Sequence, residues 1–443
     1  MIIQTYTYRF MIGLLAACCW LPATAAQRPD LDVSLSTPVM PANQKQTAFL
    51  KVALTGFELP NKTSRPPLNV AIVLDKSGSM SGDKIHHARE AAIMAVSMLG
   101  PNDIASVVTY DDVVRVVAPA TKVTDKHAIT QAIRNIPAGG STALFAGVSK
   151  GAQEVRKFFD QTRVNRVILL SDGRANVGPS SPTELGQLGG SLGSEGISVT
   201  TIGLGLGYNE DLMTQLAGYS DGNHAFAENA YALGDIFQSE FGSALSVVAQ
   251  DVEIDIHCAE GIRPLRVLGR EAEILGQRVR VNMNQLAGLQ EKFIMLEVET
   301  TPGQAGQKRD VASVDVSYLN MLNKKREQQQ QRIDVAFSES KEEVKKAVDN
   351  RVMSSATAQI ANIMSKEAVQ LRDEGKTEQA GEKLKEAGRL LRQNAEEYAA
   401  PELEVMADQT EADADSIAKD EEWNAKRKSM RERQYKQDNQ QDY

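Results

Sequence analysis

Residues 70–74, Val-Ala-Ile-Val-Leu, form an unbroken apolar run that stops at Asp75, and residues 83–99 then carry apolar positions at helical period. A short continuous run is the pattern of a parallel strand covered on both faces, so the pair predicts a strand feeding a helix. Over residues 67–249 this alternation repeats. Strands are predicted at 104–110, 113–117, 164–170 and 197–204, and helices at 128–136, 142–159, 209–217 and 231–248. Such an order predicts an α/β unit, a doubly wound and mostly parallel sheet. Asp111-Asp112 between two of the strands reads as a hairpin that sets one antiparallel strand at an edge.

On either side the period changes to two. Residues 31–35 and 47–54, within a segment 27–66, alternate apolar and polar positions, and so do 252–256, 278–281, 292–298 and 311–318 within 250–322. These predict one β-sandwich into which the α/β unit is inserted, with a polar, Pro-terminated linker at 61–67 at the first junction. Residues 323–400 read as charged and helical, ending in a helical hairpin of 339–371 and 377–398 around Asp373-Glu374-Gly375-Lys376. Ala368, Leu371, Gly375, Ala380, Leu384, Ala387 and Leu391 resemble half of a tetratricopeptide array, so the hairpin's open face must pack on the body of the protein or on a partner. Residues 401–443, acidic and then basic, read as a solvated, partly disordered tail.

The chemistry gathers at the ends of the predicted strands. Asp75, Ser77 and Ser79 alternate around Gly78, a hard-oxygen set suited to Mg²⁺ or Mn²⁺. A hydrophilic strand-to-helix turn with Ser81 or Asp83 as N-cap is the plain alternative for these residues alone. Farther on, Gly139-Gly140-Ser141-Thr142 precedes another helix, and the run 167–170 ends in Ser171-Asp172-Gly173. Asp75-x-Ser77-x-Ser79, then Thr142, then Asp172, in this order, resembles the von Willebrand factor type A domain and its metal-ion-dependent adhesion site. The resemblance implies that Asp75, Ser77, Ser79, Thr142 and Asp172 hold one divalent cation, Mg²⁺ or else Mn²⁺ or Ca²⁺. It also implies that an Asp or Glu of a protein partner completes the ion's shell. The wider layout is similar to inter-alpha-trypsin inhibitor heavy chains and calcium-activated chloride channel homologues.

Length and charge narrow the rest. A chain of 443 residues exceeds a single core, and a net charge of −9 argues against a general nucleic-acid binder. No run beyond the N-terminus is long enough to span a membrane. Residues 1–26 read as an export signal: Arg9, an apolar core, Pro22 and a small-residue region at 23–26. Leu15-Ala16-Ala17-Cys18 also resembles a bacterial lipobox, which would make Cys18 a lipid anchor. The alanines after Pro22 favour simple cleavage. Cleavage leaves Cys258 alone, a buried apolar residue by its strand pattern.

Catalytic alternatives find little support. The histidines, His86, His87, His127, His224 and His257, make no zinc motif. Gly203-x-Gly205-x-Gly207 lacks the remaining marks of a dinucleotide loop and reads as a point of close backbone approach. No general base or second-metal carboxylate cluster accompanies the Mg²⁺ set, which disfavours a phosphoester hydrolase. The expectation is a non-enzymatic, exported protein of the periplasm or cell envelope that grips a partner through the cation. The second reading is a structural subunit of an envelope complex whose metal only stiffens the loops.

Overall fold

The computed structural model describes residues 27–60 and 65–441. The expected export signal, Cys18 and residues 61–64 of the linker lie outside the described residues. The chain opens with β1 (Asp30–Leu35), β2 (Val39–Pro41) and β3 (Gln46–Thr55). An alternating unit follows: β4 (Leu68–Asp75), α1 (Asp83–Met98), β5 (Ile104–Tyr110), β6 (Val114–Lys122), α2 (Lys126–Arg134), α3 (Leu144–Arg156), β7 (Val164–Ser171), α4 (Pro182–Ser194), β8 (Ser198–Leu204), α5 (Glu210–Tyr219), β9 (His224–Ala227) and α6 (Leu233–Leu245). Its six-stranded sheet runs β6-β5-β4-β7-β8-β9, parallel except where β6 pairs antiparallel with β5.

The burial of β4 explains why this sheet is doubly wound. Val70, Ile72 and Leu74 enter a core shared with α1 and α6, while Ala71 and Val73 enter a separate core on the opposite face with α3 and α5. A strand wrapped this way has no wet face, hence the unbroken apolar run. The hairpin at Asp111-Asp112 and the antiparallel edge strand occur as expected. Within this unit the sequence pattern missed α4, whose glycines blur its apolar face, and the short edge strand β9.

After α6 come β10 (Val247–Cys258), β11 (Ile262–Leu268), β12 (Glu273–Leu275), β13 (Arg278–Ala287), β14 (Glu291–Thr300), β15 (Lys308–Asn320) and β16 (Lys325–Ser338). They build two sheets, β1-β3-β14-β11 and β12-β13-β10-β15-β16-β2, packed face to face over Val33, Leu50, Ile254, Leu296 and Val314. The N-terminal strands join both sheets, as an inserted domain requires. Both junctions meet the turn between β13 and β14: Leu289 N–H donates to the Gly56 carbonyl at 2.9 Å and Gly288 N–H to the Ser246 carbonyl at 2.8 Å. A Cβ at Gly56 would stand 2.0 Å from the Ala287 carbonyl oxygen, so only glycine lets the chain leave the sandwich here. Cys258 is buried, which pushes its thiol up to about 11.

Two expectations are corrected. Residues 325–338 were expected to be helical but form β16, paired along its length with β15. Ile333, Val335 and Phe337 alternate at strand period, while the glutamine run before them carries no apolar signal for either period. The expectation of a solvated tail over 401–443 is corrected for its described part, which forms α10 (Pro401–Ser416) and α11 (Asp420–Asn439), following α7 (Lys341–Lys346), α8 (Asn350–Asp373) and α9 (Thr377–Tyr398). The helical hairpin is α8 and α9. Its open faces are covered within the chain: Val352 and Ala356 of α8 pack on Ala53, Leu268 and Met295 of the sandwich, and Leu403 and Ala407 of α10 pack on Ala387 and Leu391 of α9. Among the described residues no helix is long and apolar enough to cross a membrane.

Candidate metal centre

The carboxyl end of β4 delivers Asp75 into a turn that Gly78 and the loop before α3 hold shut. Gly78 N–H donates to the Gly140 carbonyl at 3.0 Å and Gly139 N–H to the Lys76 carbonyl at 2.6 Å. Gly140 has φ +91°, and a Cβ there would stand 2.1 Å from Asp112 Oδ1, so glycine is needed for the two loops to meet. Lys76 is buried and its ammonium pairs with Asp111. Burial and the nearby Arg115 lower its pKa, Asp112 and Asp75 opposing them. Ala143 N–H in turn donates to the Asp111 carbonyl at 2.9 Å, so the Lys76–Asp111 pair ties the first loop to the segment that carries Thr142.

The expected site residues are drawn together. Ser77 and Ser79 hydroxyls lie 3.1 Å apart, and Ser79 Oγ donates to Asp172 Oδ1 at 2.7 Å. A Cβ built on Gly173 would stand 3.3 Å from Thr142 Oγ1 and 3.7 Å from Ser79 Oγ, which places both hydroxyls over the same point. Thr142 is fixed by its backbone, its N–H donating to Asn176 Oδ1 at 2.9 Å and its carbonyl accepting from Asn176 N–H at 3.1 Å. Asp75 accepts from Ser77 N–H and from Ser171 Oγ, each at 2.8 Å. Neither partner is charged. Burial raises the Asp75 pKa above the ordinary carboxylate value, and nearby Asp172 pushes the same way, against the lowering hydrogen bonds from Ser77 and Ser171.

Ser79 is exposed whereas Asp75, Ser77, Thr142 and Asp172 are buried, so the cluster opens outward through Ser79. The donors are hydroxyl and carboxylate oxygens, a set for a hard divalent cation. Among the described residues no group of three or more His, Cys, Asp or Glu side chains is placed to hold a metal. An ion here would therefore rest on two carboxylates and the hydroxyls, and it would supply the cation that Asp75 lacks. The residues fit Mg²⁺ and do not fit a thiophilic metal.

Gly207 backs the cluster, since a Cβ there would stand 2.4 Å from the Asp172 carbonyl oxygen, and Gly203 similarly admits the Tyr208 ring. The glycine series thus serves close approach, as expected. Sequence reasoning missed Ser171, Asn176 and Lys84. The Lys84 ammonium lies 2.5 Å from Asp172 Oδ2. Ser171 stands beside a residue already singled out, but nothing in the linear spacing marks Lys84 or Asn176.

Residues 69–239 match the von Willebrand factor type A domain. The chain carries such a domain. Domains of this type commonly bind protein partners, and bind a divalent metal at the adhesion site. The chain is 29% identical over 218 residues to the uncharacterized protein YfbK of Escherichia coli (strain K12), a match covering 49% of this chain and 38% of that protein. It is 28% identical over 295 residues to the uncharacterized protein sll0103 of Synechocystis, covering 62% of this chain and 68% of that one. The expected likeness to inter-alpha-trypsin inhibitor heavy chains is present, at 27% identity to human heavy chain H4 over 43% of this chain and 22% of that one. The match thus spans well under two thirds of YfbK and of the heavy chain. A von Willebrand factor type A structure from Catenulispora acidiphila superposes with a TM-score of 0.69 at 17% identity, covering 86% of this chain and 90% of that one. The likeness therefore extends beyond the type A domain to the arrangement of the fold.

Proposed function

We propose that this is an exported cell-envelope protein without catalytic activity, which binds a partner protein through a divalent cation, Mg²⁺ in the first instance. Asp75, Ser77, Ser79, Thr142 and Asp172 hold the ion in this reading, and an Asp or Glu carboxylate of the partner completes its shell. The observation that carries the reading is Asp75, a buried carboxylate with uncharged partners at the base of a cluster of hydroxyls that opens to solvent. A hard cation incompletely satisfied by these donors retains a position for an outside oxygen.

Capture of partner from envelope extract with and without chelator tests this. The wild-type chain is expected to retain a partner in Mg²⁺ and release it in chelator. Asp75→Ala should abolish capture without unfolding the domain, and Thr142→Ala should weaken capture more than metal binding. Full, chelator-insensitive capture by both variants would overturn the reading.

A further inference from the structure

We propose that Lys84 is a built-in counter-cation of this site: it neutralises Asp172 when no metal is bound and competes with the incoming divalent ion. The proposal rests on the metal reading above and adds how the site's affinity is set. The Asp172 side chain is 0% exposed, and its oxygens are divided between the Ser79 hydroxyl at 2.7 Å and the Lys84 ammonium at 2.5 Å. Lys84 stands in the first turn of α1 and is 38% exposed, so its ammonium reaches inward to the carboxylate along a stem that keeps contact with solvent. The other lysine of these loops, Lys76, is committed to Asp111.

A divalent ion entering among these oxygens meets an ammonium already seated on one of its two carboxylates. Like charges so close repel strongly in a partly buried setting, so the ion binds only as Lys84 swings away. The route out is open: Lys84 is flexible, its ammonium is well hydrated when free, and the neighbouring Gly205 carries no side chain to trap it. A Cβ at Gly205 would lie 4.0 Å from the Lys84 nitrogen. Two consequences follow. The metal-free site is not left with an uncompensated pair of buried acids, so the loops keep their shape while the ion exchanges. With the ion bound and Lys84 displaced outward, the two carboxylates only balance the ion's charge, and its unfilled position is left for an outside oxygen such as a carboxylate.

Calorimetric titration of the full chain with Mn²⁺, alongside thermal unfolding in chelator, tests the proposal on Lys84→Met and Lys84→Arg. Lys84→Met is expected to bind Mn²⁺ about tenfold more tightly than wild type, and to melt at lower temperature in chelator because Asp172 loses the ammonium that pairs with it. Lys84→Arg should keep the wild-type melting temperature in chelator. Unchanged or weaker Mn²⁺ binding by Lys84→Met, with binding intact in the wild type, would overturn the role of Lys84 alone. Absence of binding in wild type and Lys84→Met together would overturn both this inference and the metal site.

Discussion

His224 shows how far burial alone can move a side chain in this protein. At the start of β9 its ring is fully covered, with Nδ1 2.8 Å from Thr201 Oγ1 and the Tyr435 ring 5.8 Å away. Burial, with Lys436 and Lys428 nearby, lowers its pKa from 6.5 to about 3. The unfolded chain therefore takes up a proton below pH 6.5 that the folded chain refuses until about pH 3. Stability is unaffected by this group above pH 6.5 and falls as the pH drops below it, by about 1.4 kcal/mol per pH unit. Urea unfolding at pH 7 and pH 5 should show a smaller loss in His224→Gln than in wild type. Equal losses would mean that His224 is not held neutral. The contrast with Asp75 is one of function: both are buried, but His224 can stay neutral whereas Asp75 stands where a cation would restore its charge.

At the scale of elements, α11 joins parts that the sequence order keeps far apart. Arg427 reaches Glu210, Asp211 at 2.6 Å and Asp373 at 2.8 Å, so one guanidinium ties α5 to the end of α8. Lys428, buried beside it, donates to Glu210 at 2.5 Å and to the Tyr208 carbonyl at 2.8 Å. Arg427→Ala takes one cation from each of three carboxylates, of which Glu210 keeps Lys428 and Asp211 keeps Arg431 at 3.0 Å. A fully buried pair broken outright costs about 3–5 kcal/mol, and the cations that stay, with the partial exposure of Asp211 and Asp373, reduce that to about 1–2 kcal/mol. Chemical denaturation measures it, and a change below about 0.5 kcal/mol would show the clasp to be a surface contact. This helix was illegible in the sequence because charge holds it: Trp423, Met430 and Tyr435 are too few to give a hydrophobic period. The strand β16 hid for a related reason, its glutamines being silent as to period. Asn424 donates to the Leu206 carbonyl at 3.3 Å, so the same helix also touches the glycine loop behind Asp172.

Across the whole molecule, the legible parts are those whose signal is local. Each strand of the type A sheet is an apolar run, each sandwich strand an alternation, and the site residues sit in loops that follow strands. Lys84 was not legible, being one of 49 basic residues with nothing in its spacing to mark it. The interface between the two domains was not legible either. Asp221, just before β9, accepts from Lys292 and Arg270, both at 3.2 Å, and from Asn284 N–H at 2.7 Å. Burial alone would raise its pKa, but Lys292 and Arg270 hold it below the ordinary carboxylate value. Arg166 bridges Glu240 to Gln285 of β13 nearby. Such contacts link residues with no sequence relation, and they seat the inserted domain firmly while leaving its metal loops on the carboxyl edge of the sheet.

The central claim is that these loops hold a divalent cation through Asp75 and Asp172. Calorimetric titration of the full chain with Mn²⁺, set against Asp75→Ala under the same conditions, tests it most directly. The account predicts saturable binding at one site in the wild type and none in Asp75→Ala, with circular dichroism unchanged between the two. Equal binding by both proteins, or none by the wild type, would contradict it.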